Sequence, residues 1–318
     1  MPWRSIMGTM LGWRGGWWLI VVVLLAAACS PVAPTARSSS PTPRHPSSHR
    51  SSTAPDPPKR LPRGGKRVFP RYRVVAYYGT AGTGSLGVLG SKPPAQIAGK
   101  IEKVARRFAT PGRQVQPAME LIVTVADATP GPDGDYNHTI AMAKAKTYLR
   151  IARANDMLLI LDIQPGQAKF LRLVKHWAPL LAHPQVGLAL DAEWHMPDAG
   201  VPGQTIGHVN AAQINRVAAW LADLVQHRRL PQKLFVLHQF TASMIDHIGQ
   251  VTTRPQLAEV QHLDGFGAPA DKLAKYRRLQ RPSQFHMGFK LFYSQDTPLM
   301  SPTRVLNLNP PPEYVSYQ

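Results

Sequence analysis

The chain has little cysteine, few acidic residues and no long apolar segment, and each of these features limits the folds and functions that are possible. Cys29 is the only cysteine among 318 residues, so no disulfide framework stabilises the fold and a large hydrophobic core must do so. The apolar run from Trp17 to Ala28 is too short for a membrane-spanning helix, which needs about 20 residues. Acids number 18 against 37 Lys and Arg, so an anionic partner has to be considered.

Residues 1–29 have the features of an export signal. Arg4 and Arg14 precede the apolar run, and Ala26-Ala27-Ala28 form a small-residue cleavage site before Cys29. This arrangement resembles a bacterial lipoprotein signal peptide, with Ala26 where leucine is usual. The resemblance implies that Cys29 is lipidated and becomes the first mature residue. The protein would then be anchored at the extracytoplasmic face of the cell membrane, with ordinary secretion as the alternative.

Residues 30–70 are rich in Pro, Ser and Thr and almost lack large apolar side chains, which predicts a disordered linker. Ten Lys or Arg and one acid, Asp56, lie between Ser30 and Arg73. No Cys/His finger, recognition-helix pattern or aromatic–basic RNA motif accompanies this charge. We therefore expect the linker to contact anionic lipid or cell-wall polymers, and we expect no nucleic acid partner.

Residues 71–318 are expected to form one domain, in which apolar runs alternate with helical periodicity. The clearest helix, over 211–229, begins with Asn210 as N-cap and Gln213 three residues on. Such alternation predicts parallel βαβ units, and their number fits an α/β fold of the (β/α)8 TIM-barrel type. An open doubly wound sheet is the alternative, although Gly79–Gly84 lacks its phosphate-binding pattern. The predicted strands are 73–79, 119–126, 156–163, 186–193, 233–239, 260–266, 288–293 and 314–317.

Polar side chains lie at the predicted C-terminal strand ends, where barrel enzymes place their active sites. Asp191 and Glu193 are two residues apart, so on a strand they point the same way. Their repulsion favours keeping one carboxyl protonated near neutral pH, as a general acid requires. Aromatic rings beside carboxylates and amides suit a sugar ligand. The expected substrate-binding residues are Tyr77, Tyr78, Asp127, Asp162, Gln164, Trp194, His238, Gln239, Asp264, Lys290 and Tyr293.

The fourth strand resembles that of (β/α)8 glycoside hydrolases, especially chitinases and endo-β-N-acetylglucosaminidases, which carry D-G-x-D-x-D-x-E. Gly187, Asp191 and Glu193 match the second, sixth and last places, while Val186 and Ala189 stand where that family has aspartates. The resemblance implies that Glu193 is the general acid and that Asp191 orients it or the substrate amide. It also implies a substrate-positioning role for Tyr293. Cell-wall lysozymes of similar barrel shape also carry D-x-E on a strand.

Two other classes of function stay open. A metal-dependent hydrolase could use Asp127, Asp162, Glu193, His238 and Asp264 as ligands, although H-x-H on the first strand and H-E-x-x-H are both absent. A non-catalytic surface lipoprotein that binds carbohydrate would keep the aromatic residues and lose the acid. For the glycosidase interpretation we expect a monomer that acts on a carbohydrate or cell-wall glycan without cofactor or metal.

Overall fold

Eight parallel strands close into a barrel in the computed structural model, which describes residues 59–318. Each strand pairs with the next, and β8 pairs with β1 to close the ring. The prediction of a (β/α)8 barrel is therefore confirmed, and the open-sheet alternative is wrong. The strands are β1 Tyr72–Thr80, β2 Gln114–Ala126, β3 Leu158–Ile163, β4 Val186–Asp191, β5 Lys233–Gln239, β6 Leu257–Leu263, β7 His286–Leu291 and β8 Tyr314–Tyr317.

Helices surround the barrel. The predicted capping box is present, since Asn210 and Gln213 each accept a hydrogen bond from the other's backbone N–H at the start of α5. Within residues 59–318, no helix has both the length and the apolar character that a membrane span needs. The helices are α1 Pro94–Arg106, α2 Met142–Ala154, α3 Phe170–His176, α4 Ala178–Leu181, α5 Ala211–His227, α6 Pro269–Leu279 and α7 Pro302–Leu306.

The inside of the barrel is apolar in its lower half and polar in its upper half. Because side chains alternate across a strand, every second residue points inward. Small apolar side chains such as Val74, Ala118 and Ala189 fill the lower half. The outward-facing residues pack against the helices in a second core layer. The charged residues of the strands are thereby concentrated towards the C-terminal end of the barrel.

The N-terminal end of the barrel is covered by residues 59–71, most of which were predicted to be linker. Leu61, Val68 and Phe69 are buried and pack in the same core as the lower barrel layer. The amide of Val68 donates to Gln232 Oε1 at 3.0 Å, which ties this segment to the start of β5. The predicted boundaries, a linker to 70 and a domain from 71, are therefore corrected: the folded domain includes residues 59–70. The predicted signal peptide, Cys29 and the linker up to residue 58 lie outside the described residues.

Truncating Leu61 tests this boundary. Leu61→Ala is expected to lower the free energy of unfolding by about 2 kcal/mol, because it removes a buried side chain that closes the barrel. The matched control Leu299→Ala removes a side chain that is 37% exposed and should change that free energy by about 0.5 kcal/mol or less. Denaturant unfolding of the full chain measures both. If the two variants lose the same unfolding free energy, residues 59–70 do not stabilise the domain and belong to the linker.

Candidate active site

Six side chains from six strands, with Asp264 directly after β6, form a polar belt inside the C-terminal end of the barrel. Each is buried, with at most 6% of its surface exposed. The alternation of each strand places them inward, and the closed barrel brings the strand ends together. The polar belt consists of Tyr78, Glu120, Asp162, Asp191, His238, Asp264 and Lys290.

His238 lies between two carboxylates of this belt. Its Nδ1 is 2.8 Å from Asp264 Oδ2, and its Nε2 is 3.0 Å from Glu120 Oε1. Burial lowers the pKa of His238, but the carboxylates of Asp191 and Glu120 and the hydrogen bond with Asp264 more than offset this and raise it well above its ordinary value. The ring is therefore an imidazolium at neutral pH and donates both N–H groups.

The two carboxyls that hold His238 have lowered pKa values. Burial raises their pKa, but the charge of His238 and its hydrogen bonds outweigh burial, so the pKa of both Glu120 and Asp264 is lowered. Tyr314 donates to the second oxygen of Glu120 at 2.7 Å. Lys290 Nζ lies 3.8 Å from Asp264 Oδ2. Both carboxylates thus contact the cation His238, and Asp264 also lies near the cation Lys290.

Asp162 and Asp191 form the other half of the belt, next to Tyr78. The phenol of Tyr78 donates to Asp162 Oδ2 at 2.9 Å and lies 3.5 Å from Asp191 Oδ2, while Gln164 donates to the phenol oxygen at 3.2 Å. Burial, with the nearby charges of Asp191 and Glu120, raises the pKa of Asp162 to about 7. Burial and the charge of Asp264 also raise the pKa of Asp191. These two carboxyls therefore retain protons more readily than ordinary aspartates.

Glu193 lies just after β4, at the mouth of the barrel. Strand β4 ends at Asp191, and Glu193 belongs to a 3-10 turn, Ala192–Trp194. The predicted strand to residue 193 is thus two residues too long, because Asp191 Oδ1 accepts the amide of Glu193 at 3.2 Å and starts the turn. Gly207 donates its amide to the carbonyl of Glu193 at 2.6 Å. A Cβ at position 207 would lie only 2.6 Å from that carbonyl oxygen, so glycine permits this approach.

The side chain of Glu193 differs from the buried acids around it. It is partly exposed to solvent and makes no hydrogen bond or ion pair with any residue in 59–318. Burial by its surroundings, together with the charges of Asp191 and Asp264, raises the pKa of Glu193 well above its ordinary value. The arrangement therefore presents a carboxyl with a raised pKa, and without a hydrogen-bond partner in the described chain, at the mouth of the barrel.

The structure brings eight of the thirteen predicted catalytic and substrate-binding residues together. Six lie in the polar belt, Gln164 is hydrogen-bonded to it, and Glu193 lies above it. Trp194 follows Glu193 and is partly exposed. The eight are Tyr78, Asp162, Gln164, Asp191, Glu193, His238, Asp264 and Lys290.

Four predicted residues lie away from the belt. Tyr77 and Gln239 are each adjacent to a residue that faces into the barrel, so their own side chains point outward. The hydroxyl of Tyr77 is 3.1 Å from that of Tyr293, whose ring stacks on Tyr317. Gln239 accepts from Gln261 at 2.8 Å behind the barrel wall. Asp127 pairs with His138 at 2.7 Å on the exposed rim.

Four buried residues of this region were missed: Glu120, His262, Tyr314 and Ser316. His262 Nε2 is 2.8 Å from Ser316 Oγ, and burial together with the charge of His238 lowers the pKa of His262 well below its ordinary value. A signal existed for Glu120, which interrupts an apolar strand where an unpaired charge is costly. The sequence does not indicate that polar side chains lie deeper in the barrel than the strand ends. This arrangement becomes evident only once the strands are seen to close into a barrel.

Metal ligation finds less support in this geometry than acid–base chemistry. Among residues 59–318, no three His, Cys, Asp or Glu side chains are arranged to hold a metal ion. Both ring nitrogens of His238 are engaged by carboxylates, and Asp127 is paired elsewhere.

The fold and this site define the class: a (β/α)8 barrel with a carboxyl of raised pKa above paired charges at its C-terminal end. A scan against protein-family models gives no match to this chain, and a search of curated proteins gives no similar sequence.

Proposed function

We propose that this protein is a cell-surface glycoside hydrolase that uses Glu193 as its general acid. The observation that carries the proposal is the raised pKa of Glu193, on a carboxyl that faces the barrel mouth without a partner among residues 59–318. A general acid must be protonated and must reach the leaving group; the raised pKa of Glu193 favours the first, and its partly exposed position at the barrel mouth supports the second. The substrate is a glycan of the cell wall or the cell exterior.

In the proposed reaction, Glu193 donates its proton to the glycosidic oxygen as the bond from that oxygen to the anomeric carbon breaks. The carboxylate left on Glu193 is stabilised by the positive charges of Lys290 and His238, both of which lower its pKa. It can then accept a proton from the attacking water. Asp191 positions the acid, because its Oδ1 accepts the amide of Glu193.

Aromatic surface at the same C-terminal end of the barrel supports a sugar ligand. The ring of Phe266 is 47% exposed, and its centroid lies 5.8 Å from that of Phe292. Lys290 Nζ in turn lies 5.4 Å from the centroid of Phe292, which connects the exposed ring to the polar belt. A flat exposed ring next to polar groups suits the C–H face of a pyranose.

A carbohydrate-binding protein without catalysis is the second candidate. Ala189 stands where the resembling family has an aspartate, and its methyl group lies in the apolar lower layer. Asp162 is its register partner on β3, so a carboxyl on the neighbouring strand lies beside this position. Whether that carboxyl suffices for catalysis decides between the two candidates.

A glycan screen tests the proposal. The full chain is incubated with chitin oligosaccharides and peptidoglycan, with and without a chelator, and new reducing ends are measured beside Glu193→Gln. Hydrolysis by the wild type, lost in the variant and insensitive to the chelator, supports the proposal. Saturable binding without hydrolysis supports the second candidate. Hydrolysis that the chelator abolishes supports the metal-dependent class.

The lipid anchor is a separate part of the proposal. It is supported by the basic residues, short apolar run and single cysteine of residues 1–29. Mass spectrometry of the mature N-terminus is expected to find an acylated Cys29, and Cys29→Ser should release the protein from the membrane fraction. An unmodified mature chain that begins elsewhere would leave ordinary secretion.

A further inference from the structure

Much of the basic charge assigned to a linker belongs to the folded domain. Of the ten Lys and Arg between Ser30 and Arg73, seven lie at positions 59–73, within the described residues. Arg63 pairs with Glu102, and Arg73 is buried against backbone carbonyls. Lys66, Arg67 and Arg71 are exposed, and none forms an ion pair with a carboxylate of residues 59–318. These three cations belong to the N-terminal face of the barrel, opposite the candidate active site.

The three cations converge on one cleft. It has a volume of about 700 Å³, and its lining contains no acidic residue. Arg113, also in the lining, is neutralised by Glu313 at 3.0 Å. The adjoining cleft of about 600 Å³, which Arg67 and Arg113 also line, differs because its lining includes Glu259 and Glu313. Positive charge is thus left uncompensated at the first cleft.

The cleft is held in place by the surrounding structure. Arg71 lies over the ring of Tyr72, 5.3 Å from its centroid, and packs beside Gly65. Gln232 donates its backbone amide to the carbonyl of Lys66 at 2.8 Å. Because three like charges line one cleft, they repel one another, and an anionic ligand would relieve that repulsion.

The point at which the chain enters the domain favours a membrane surface as the partner of this cleft. Lys59, the first described residue, donates to the carbonyl of Arg228 at 3.1 Å. Arg228 follows α5 and lies shortly before β5, so the chain enters the domain at this same N-terminal face. Cys29, the proposed anchor, lies 30 residues earlier. With Cys29 acylated as proposed above, the segment that follows the anchor would join the domain at the face that carries the unpaired cations.

We propose that the N-terminal face of the barrel docks on an anionic phospholipid surface, with a phosphodiester headgroup in the cleft lined by Lys66, Arg67 and Arg71. The choice of a lipid surface rests on the proposed lipid anchor. Docking in this orientation turns the mouth of the barrel, with Glu193, away from the bilayer and towards the glycans outside it.

Vesicle binding by a chain that cannot be acylated tests the docking separately from the anchor. The chain from residue 29 onward, carrying Cys29→Ser, is mixed with vesicles of phosphatidylcholine alone or with phosphatidylglycerol. Each basic residue near an anionic surface raises the partition coefficient about fivefold. Lys66→Gln/Arg67→Gln/Arg71→Gln should therefore weaken binding to the anionic vesicles by roughly a hundredfold. Added salt should weaken the binding of the unsubstituted chain.

The matched control removes the same charge from the outer face of α2. Lys144→Gln/Lys146→Gln/Arg150→Gln replaces two lysines and one arginine that are exposed and precede the C-terminal turn of α2, and it should bind almost as well as the parent. Equal losses in the two triple variants, or no preference for phosphatidylglycerol, would overturn the docking proposal. Binding to soluble polyphosphate but not to vesicles would also overturn it, in favour of a wall or soluble polyanion. Acylation of Cys29 is measured separately by mass spectrometry, so the lipid anchor can be disproved without affecting the result of the vesicle experiment.

Discussion

Glu193→Gln is expected to lower the rate of glycan hydrolysis by about 10²–10⁴-fold, the usual contribution of a general acid. Glutamine keeps the shape of the side chain but has no acidic proton to transfer. Sugar binding should persist, because the polar belt and the exposed aromatic rings remain. Hydrolysis rates and glycan affinity, measured on the same preparation, separate the two effects.

The matched control for this change is Asp223→Asn. Asp223 is exposed on α5, so the substitution makes the same carboxyl-to-amide replacement far from the mouth and should leave activity unchanged. If the wild type hydrolyses a glycan and Glu193→Gln does so equally well, Glu193 is not the acid, and the proposed mechanism is wrong.

The pH profile provides an independent signature of the same acid. The charge of Asp191 raises the pKa of Glu193, so Asp191→Asn should lower that pKa. A general acid works only while protonated, and activity is lost as the pH rises through its pKa. The alkaline limb of the pH–rate profile should therefore move to lower pH in Asp191→Asn. If the alkaline limb of the profile does not move in Asp191→Asn, that limb reports the titration of a group other than Glu193.

His238→Gln is expected to lower the free energy of unfolding by about 3–5 kcal/mol near neutral pH. Removing one partner of a buried ion pair leaves the other charge buried without compensation. Glu120, whose exposed fraction is 0%, would lose its 3.0 Å contact to a cation, and Asp264 would keep only Lys290 at 3.8 Å. Equilibrium unfolding in denaturant measures the loss.

The pH dependence of that loss follows from the direction of the pKa shifts. The lowered pKa of Glu120 and Asp264 means that their stabilisation is present above the ordinary carboxyl pKa and is lost as pH falls through the lowered values. The raised pKa of His238 means that its stabilisation is present below 6.5 and is lost as pH rises through the raised value. The difference between wild type and His238→Gln should therefore shrink in acid.

The double variant Glu120→Gln/His238→Gln provides the control for this explanation. It removes the carboxylate that the single change leaves unpaired, so it should be more stable than His238→Gln alone. If instead the two losses simply add, the imidazolium does not stabilise Glu120, and packing of the ring is the better account of the effect.

Periodicity was enough to predict the barrel, because strands and helices alternate with clear signals. The pairing of Asp191 with Glu193 was also predicted, although the reason was incomplete. Strand alternation suggested that both point the same way, whereas the structure ends β4 at Asp191 and uses its carboxylate to cap the turn that carries Glu193. A local side-chain hydrogen bond of this kind competes with strand continuation.

Residue types at strand ends did not reveal which side chains point into the barrel or how far below the strand ends the polar residues lie. Tyr77 and Tyr78 are adjacent, yet only Tyr78 faces the polar belt, since a shift of one residue reverses the face. Glu120 lies deeper than the strand ends, and its partners His238 and Tyr314 lie 118 and 194 residues away. The segment 59–70 looked like linker by composition, because three apolar side chains among many polar ones carry no periodic signal.

Closure of the barrel also orders the events of folding. Strands β1 and β8 pair across 240 residues, as Val74 aligns with Tyr314. Contacts of such long range form late, because the chain must first search a large loop. During synthesis, β1 emerges before the other strands and exposes an unpaired edge until the last strand arrives. The four residues Tyr314–Tyr317 thus close a barrel whose first strand begins at Tyr72, so the domain can reach its final structure only after its last strand has been made.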